Sequence, residues 1–191
     1  MRNLGSHSLH VLVHLFGEIV EVMADDRQLL SEWRFPDGSS IKPETNDFAN
    51  LTLRFRSGMI LQLQVSWSAT VGSGWSLEAF GSEGRIVIAS TAQFPTSRDT
   101  TLHAAKIGST ILEPVEIPSM FLDTPETGLN ANAEPQASHP MSLAMLSMKH
   151  AIDGNGKAAP DFDQAWTVER ILEAARQSAE RRTWVEMSDI A

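Results

Sequence analysis

The 191-residue sequence predicts an α+β fold: an open, mainly antiparallel sheet of about six strands with helices packed on one face. Three observations carry this prediction. The chain opens on a helix-period stretch, runs through consecutive hairpins in its middle, and returns to helical periodicity near its end. The resulting order is helix, strands, two helices, strand.

In NLGSHSLHVLVHLF (3–16), Leu9, Leu12, Val13 and Phe16 fall at i, i+3, i+4 and i+7, a single apolar helical stripe. Ser6 or Ser8 is the candidate N-cap and Gly17 the candidate C-terminal glycine. EIVEVMA (18–24) alternates as a strand, and the Asp25-Asp26 pair after it reads as a solvated turn. LTLRFR and MILQLQVSW form the clearest hairpin. Leu51, Leu53 and Phe55 point one way, as do Met59, Leu61, Leu63, Val65 and Trp67, with Ser57-Gly58 as a two-residue turn. WSLEAF and RIVIAS flank GSEG (81–84) in a second hairpin, and DTTLHAAKI and STILEPVEI flank Gly108 in a third. Residues 118–140 are rich in Pro, Asn, Ser and Gly without periodicity and read as a long loop. The next helix, Pro140 to Ile152, sets Met141, Met145 and Met148 on one side, a stripe that reads as core packing, and stops at Asp153-Gly154. Asp161 or Asp163 caps the last helix, whose buried side is Trp166, Ile171, Leu172 and Ala175. WVEM (184–187) closes the chain as a short strand.

Length suits one domain, or at most two small ones, on the usual ~100–200 residues per domain, and the chain is read as a single domain, 1–191. The absence of cysteine removes disulfides and thiolate chemistry and suits a cytoplasmic protein. No apolar run approaches the ~20 residues of a membrane span, and no stretch at the start has the form of a signal peptide. A net charge of −9 repels a phosphate backbone, and the one local basic patch is Arg181-Arg182, so no nucleic-acid partner is expected.

His7, His10 and His14 lie at i, i+3, i+7 on a second stripe of the first helix, where a surface helix would carry Lys or Glu. That stripe therefore faces something other than bulk water. Three readings remain open: histidines at a packed interface, a metal site, and a catalytic or substrate-contacting role. No carboxylate within the helix completes a metal site, and no metal is expected. The outward positions of the first hairpin (Thr52, Arg54, Arg56, Gln62, Gln64, Ser66 and Ser68) lack Lys and Glu, which suits either a solvated face or one that pairs with a second copy. GSGW (72–75) and GSEG sit in sheet turns with no following helix, so neither cradles a phosphate.

Four stretches in order resemble the C-terminal domain of the Gfo/Idh/MocA oxidoreductases. They are NLGSHSLHVLVHLFGEIVEV, LRFRSGMILQLQVSW, AFGSEGRIVI, and APDFDQAWTVERILEAARQSAERRTWVEM. Together they reach from about residue 3 to residue 187. The resemblance implies the substrate-binding and oligomerisation domain of an NAD(P)-dependent sugar or polyol dehydrogenase. His7 matches the histidine that meets the substrate hydroxyl as acid/base. Asn3 stands where many members carry aspartate, and it can hydrogen-bond but cannot supply the charge that raises an imidazole's basicity. His10 replaces a residue that is commonly aspartate, and both Asn3 and His10 are expected beside the substrate. The family's dinucleotide-binding domain, with its GxGxxG and its E-K-P lysine, has no counterpart in these residues. The chain alone is therefore expected to bind neither NAD nor NADP and to be inactive. Its expected partners are a separate Rossmann domain, a small sugar or polyol, and a second copy through the sheet face. The alternative is a stand-alone binding or scaffold module with no activity.

Overall fold

The computed structural model describes residues 2–68 and 72–191. It is α+β with antiparallel sheets, as the sequence predicts. Among the described residues the main strands form two four-stranded sheets, each in its own compact unit, and four short strands form two separate two-stranded ladders. One unit is Met1–Val71 with Phe162–Ala191, the other Gly72–Asp161.

The first unit begins with helix α1 (Arg2–Phe16) and strand β1 (Ile19–Arg27). A small ladder of β2 (Trp33–Arg34) and β3 (Ser40–Ile41) follows, then the hairpin β4 (Phe48–Phe55) and β5 (Ile60–Ser66). The Gly17 N–H closes α1 on the Val13 carbonyl at 2.9 Å. Neither Ser6 nor Ser8 caps the helix, because it already starts at Arg2: Ser6 Oγ donates back to the Asn3 carbonyl, and Ser8 is buried. Asp25 and Asp26 are not a turn. They continue β1 opposite Asn50 and Ala49, where cross-strand pairing overrides their poor strand propensity. The β4–β5 turn has three residues, Arg56 to Gly58, not two. Phe55 N–H bonds to Met59 O at 2.9 Å, and Gly58 takes the φ of +88° that a three-residue hairpin loop requires.

Alternation along β1 and β4 buries Val22, Ala24, Leu51, Leu53 and Phe55 on one face. Helix α3 (Phe162–Arg181) covers that face with Val168, Ile171, Leu172 and Ala175, and α1 packs beside it. Trp166 does not join this side and is 60% exposed, because it lies two residues before Val168, across a 3.6-residue turn. The buried Ser178 Oγ donates to Thr183 O and accepts the Ala24 N–H at 2.9 Å, tying the end of α3 to β1. The last strand, Val185–Glu186, adds to the free edge of β1.

In the second unit, β6 (Trp75–Gly81), β7 (Gly84–Ser90), β8 (Thr101–Lys106) and β9 (Glu113–Pro114) follow one another as an antiparallel meander. Gly84 allows the sheet to close here, since a Cβ would fall 2.0 Å from the Ala105 carbonyl oxygen. Residues 118–140 are not all loop. They hold a 3₁₀ turn (Ser119–Phe121), the two-residue strands β10 (Asp123–Thr124) and β11 (Leu129–Asn130), and the start of α2 (Ser138–Ile152). On α2 the methionine stripe is not core, for Met141, Met145 and Met148 are each at least half exposed. The helix instead buries His139, whose Nε2 meets Thr124 Oγ1 at 3.1 Å. The last strand of the chain, Val185–Glu186 of the first unit, is β12 in this numbering. Among the described residues no helix is long and apolar enough to cross a membrane.

The β7–β8 connection is held by Asp99, whose carboxylate accepts from Thr91, Ser90 and Thr96 hydroxyls and the Ala92 N–H. These bonds, Thr91 foremost, hold its pKa well below the ordinary carboxylate range against the opposing effect of burial. A lowered folded-state pKa contributes stability above the unfolded value of about 3.9 and loses it as pH falls below that value. Asp99→Asn is therefore expected to flatten the acid limb of stability between about pH 4 and pH 2. Urea titrations across that range check it, and an unchanged limb would contradict the assignment.

Candidate functional site

The segment from Gln28 to Asn46 leaves the sheet after β1 and must fold back to enter β4. Asp47 makes that return possible. It is 3% exposed, and its two carboxylate oxygens accept the Leu29 and Leu30 N–H groups at 2.7 and 3.0 Å. Burial pushes the Asp47 pKa up, but the backbone N–H donors of Leu29 and Leu30 reverse that and leave it below its ordinary value. The backbone of the same residue bonds to Arg27 O and to the Trp67 N–H, fixing the arm to β1 and to the end of β5. Trp33 is thereby laid against Trp67, ring centroids 6.3 Å apart and planes tilted by 38°.

Between these rings and the first turn of α1 lies a cavity of about 330 Å³, walled by Asn3, Leu4, Trp33, Asn46, Val65 and Trp67. Arg2 and Asp47 also border it. Arg2 is paired with Glu169 at 3.1 Å, and the Asp47 oxygens are taken by backbone N–H groups. Trp67 is 49% exposed here, on the same cavity wall as Val65.

Of the three residues singled out in the sequence, Asn3 lies on this cavity. His7 and His10 are not on its wall. His7 is exposed one helical turn beyond Asn3, so the two share a face. His10 is half-buried. Its carbonyl accepts from Gln164 Nε2 at 3.2 Å, and its Nδ1 is buried without a hydrogen-bond partner. Burial, and secondarily His7, lowers the His10 pKa, so its imidazole is neutral near pH 7. His14 is exposed further along. Among the described residues no three His, Cys, Asp or Glu side chains are grouped to hold a metal. The glycines of GSGW and GSEG lead into β6 and β7, so neither stretch sets a phosphate at a helix N-terminus.

Residues 1–87 match the model of the GFO/IDH/MocA C-terminal domain. Over that stretch, a little under half of the chain, the sequence is similar to this domain. Solved structures extend the likeness of fold over nearly all of it. An NAD binding oxidoreductase from Klebsiella pneumoniae gives a TM-score of 0.75 at 20% identity, covering 96% of this chain and 49% of its own. Levoglucosan dehydrogenase, in complex with NADH and levoglucosan, also gives 0.75 at 20% identity, covering 97% of this chain and 49% of that one. An oxidoreductase from Agrobacterium radiobacter, in complex with NAD+, L-tartaric acid and magnesium, gives 0.69 at 15% identity over 97% and 48%. The chain thus spans about half the length of these structures. No curated protein sequence matches the chain significantly.

Trp33 and Asp47 were not legible as site residues in the sequence. The available signal was a tryptophan stranded between turn residues, and an aspartate immediately before a strand, where Asx side chains commonly bind local backbone N–H groups.

Proposed function

We propose that this domain is the substrate-binding and oligomerisation half of a cytoplasmic NAD(P)-dependent oxidoreductase acting on a CH–OH group of a sugar or polyol. On this reading it is inactive until a dinucleotide-binding domain is set against it. The observation that carries the reading is the face of α1: Asn3 on a ring-sized cavity, with His7 exposed one turn along. In this arrangement Asn3 orients the substrate by hydrogen bonding, and the His7 imidazole takes the proton of the hydroxyl being oxidised. The nucleotide-binding domain supplies the hydride acceptor. The test is to join the chain to a dinucleotide-binding domain, that of the Klebsiella neighbour for example, and follow NADH formation with sugars and polyols. Turnover only in the joined protein supports the proposal. A folded, NADH-binding fusion that oxidises none of them would sink it.

The outward face of β1, β4 and β5 supports self-association. Arg54 is paired with Glu21 at 2.5 Å and lies 4.3 Å over the Trp184 ring, and Arg56 is paired with Glu18. With its arginines neutralised within the chain, and Gln62 and Gln64 exposed between them, the face has few unpaired charges to desolvate against a second copy. Lysines at Gln62 and Gln64 together are expected to raise the dimer dissociation constant at least tenfold by sedimentation equilibrium, roughly 1.4 kcal/mol. A wild-type chain that stays monomeric at every concentration would dispose of the dimer.

A further inference from the structure

The geometry points to Trp33 and Trp67 as the specificity-determining wall of the cavity, selecting a neutral six-membered polyol ring over an open-chain polyol. The inference rests on the cavity being the substrate site and adds which substrates it admits. Three features lead to it. The first is aromatic geometry: two indoles 6.3 Å apart and tilted by 38° form an angled surface, one ring half-buried and the other 49% exposed. Indole faces carry negative quadrupole potential and attract the slightly positive C–H edges that a rigid polyol ring presents together on one face. An open-chain polyol must freeze several torsions to present the same surface.

The second feature is charge. Both charged groups at the cavity are already engaged, Arg2 with Glu169 and Asp47 with two backbone N–H groups. The Asn46 amide nitrogen donates to Asp26 O at 3.2 Å, so the polar groups left facing a ligand beside the indoles are neutral, chiefly the Asn3 amide and the Asn46 amide oxygen. The third is size. A volume of about 330 Å³ lies at the small end of the ~300–1,000 Å³ typical of ligand pockets, room enough to seat one six-membered ring against the indoles.

The test is an NMR titration of the full 191-residue chain, following the indole N–H signals with myo-inositol, methyl β-D-glucopyranoside and sorbitol as probes. Saturable shifts at Trp33 and Trp67 with the two cyclic probes are expected, with sorbitol binding at least tenfold more weakly. Trp67→Ala should weaken cyclic binding about tenfold, while Trp67→Phe stays within about threefold. The half-exposed position of Trp67 makes both substitutions tolerable to the fold. Equal binding of sorbitol, no saturable shift with either cyclic probe, or cyclic binding unchanged in Trp67→Ala would each overturn the inference. The titration involves no dinucleotide and no turnover, so the two readings fail separately. Ring binding without later oxidation counts against the enzyme reading alone, and oxidation of open-chain polyols independent of Trp67 counts against this inference alone.

Discussion

His7→Ala, made in the protein joined to its dinucleotide-binding domain, is expected to lower kcat by roughly 10²–10⁴-fold, the usual contribution of a positioned acid/base. The magnitude follows from position. Side chains four apart on a helix stand about 5–6 Å apart at Cβ, so a ring held at Asn3 places a hydroxyl within reach of the His7 imidazole. His7 lies on the exposed side of α1 and bears no part of the core formed by Leu9 and Leu12, so its loss leaves the fold intact. KM should move far less than kcat, because the cavity and its tryptophans hold most of the binding surface. A loss in kcat under threefold would remove His7 from the role.

Asp47→Ala is expected to cost about 2–4 kcal/mol of stability and to abolish the cavity as well. Its carboxylate satisfies two backbone donors with charge-assisted bonds of 2.7 and 3.0 Å from a nearly fully buried position. Without it the start of the arm keeps only the Gln28 contacts to the Leu30 and Pro43 carbonyls, while the Asp47 backbone bonds to Arg27 and Trp67 and the Asn46 bond to Asp26 O still hold its end. Asp47→Asn should fall between, since one amide oxygen can replace only one of the two acceptors. The wild-type contribution has a defined pH dependence: with its pKa lowered in the fold, Asp47 stabilises above the unfolded value of about 3.9, and the benefit fades as pH falls below it. Chemical denaturation at pH 7 and pH 3 checks both parts. Equal stability of Asp47→Ala and wild type at pH 7 would refute the account of the arm.

Much of the fold was legible because burial and period coincide. Leu51, Leu53 and Phe55 alternate in the sequence and are all buried in the sheet, and Leu9 and Leu12 carry the helical stripe that packs beside α3. Legibility failed where apolar residues at core spacing lie exposed, or where a polar one is buried by a specific bond. Met141, Met145, Met148 and Trp166 have the spacing of core residues yet lie exposed. Ser178 lies on the buried stripe of α3 and looks unremarkable in sequence, yet it joins Ala24 N–H to Thr183 O. The division of the strands into two sheets was likewise beyond local periodicity, which reports each strand's faces but not which strands are neighbours.

At the site, the helix that bears Asn3 and His7 was readable, and the wall opposite it was not. Trp33 reaches the cavity only because Asp47, fourteen positions later in the chain, folds the arm back. His10, read as a neighbour of the substrate, shares the helix but is turned inward far enough to bury its Nδ1.

The central claim is that the first turns of α1 face the substrate. The measurement that tests it most directly is the ¹⁵N chemical shift of the His7 imidazole in the intact chain as myo-inositol is added. The account predicts a saturable shift at His7 that follows the same binding curve as the Trp67 indole. A Trp67 curve that saturates while His7 does not respond would place the ligand away from the helix and contradict it.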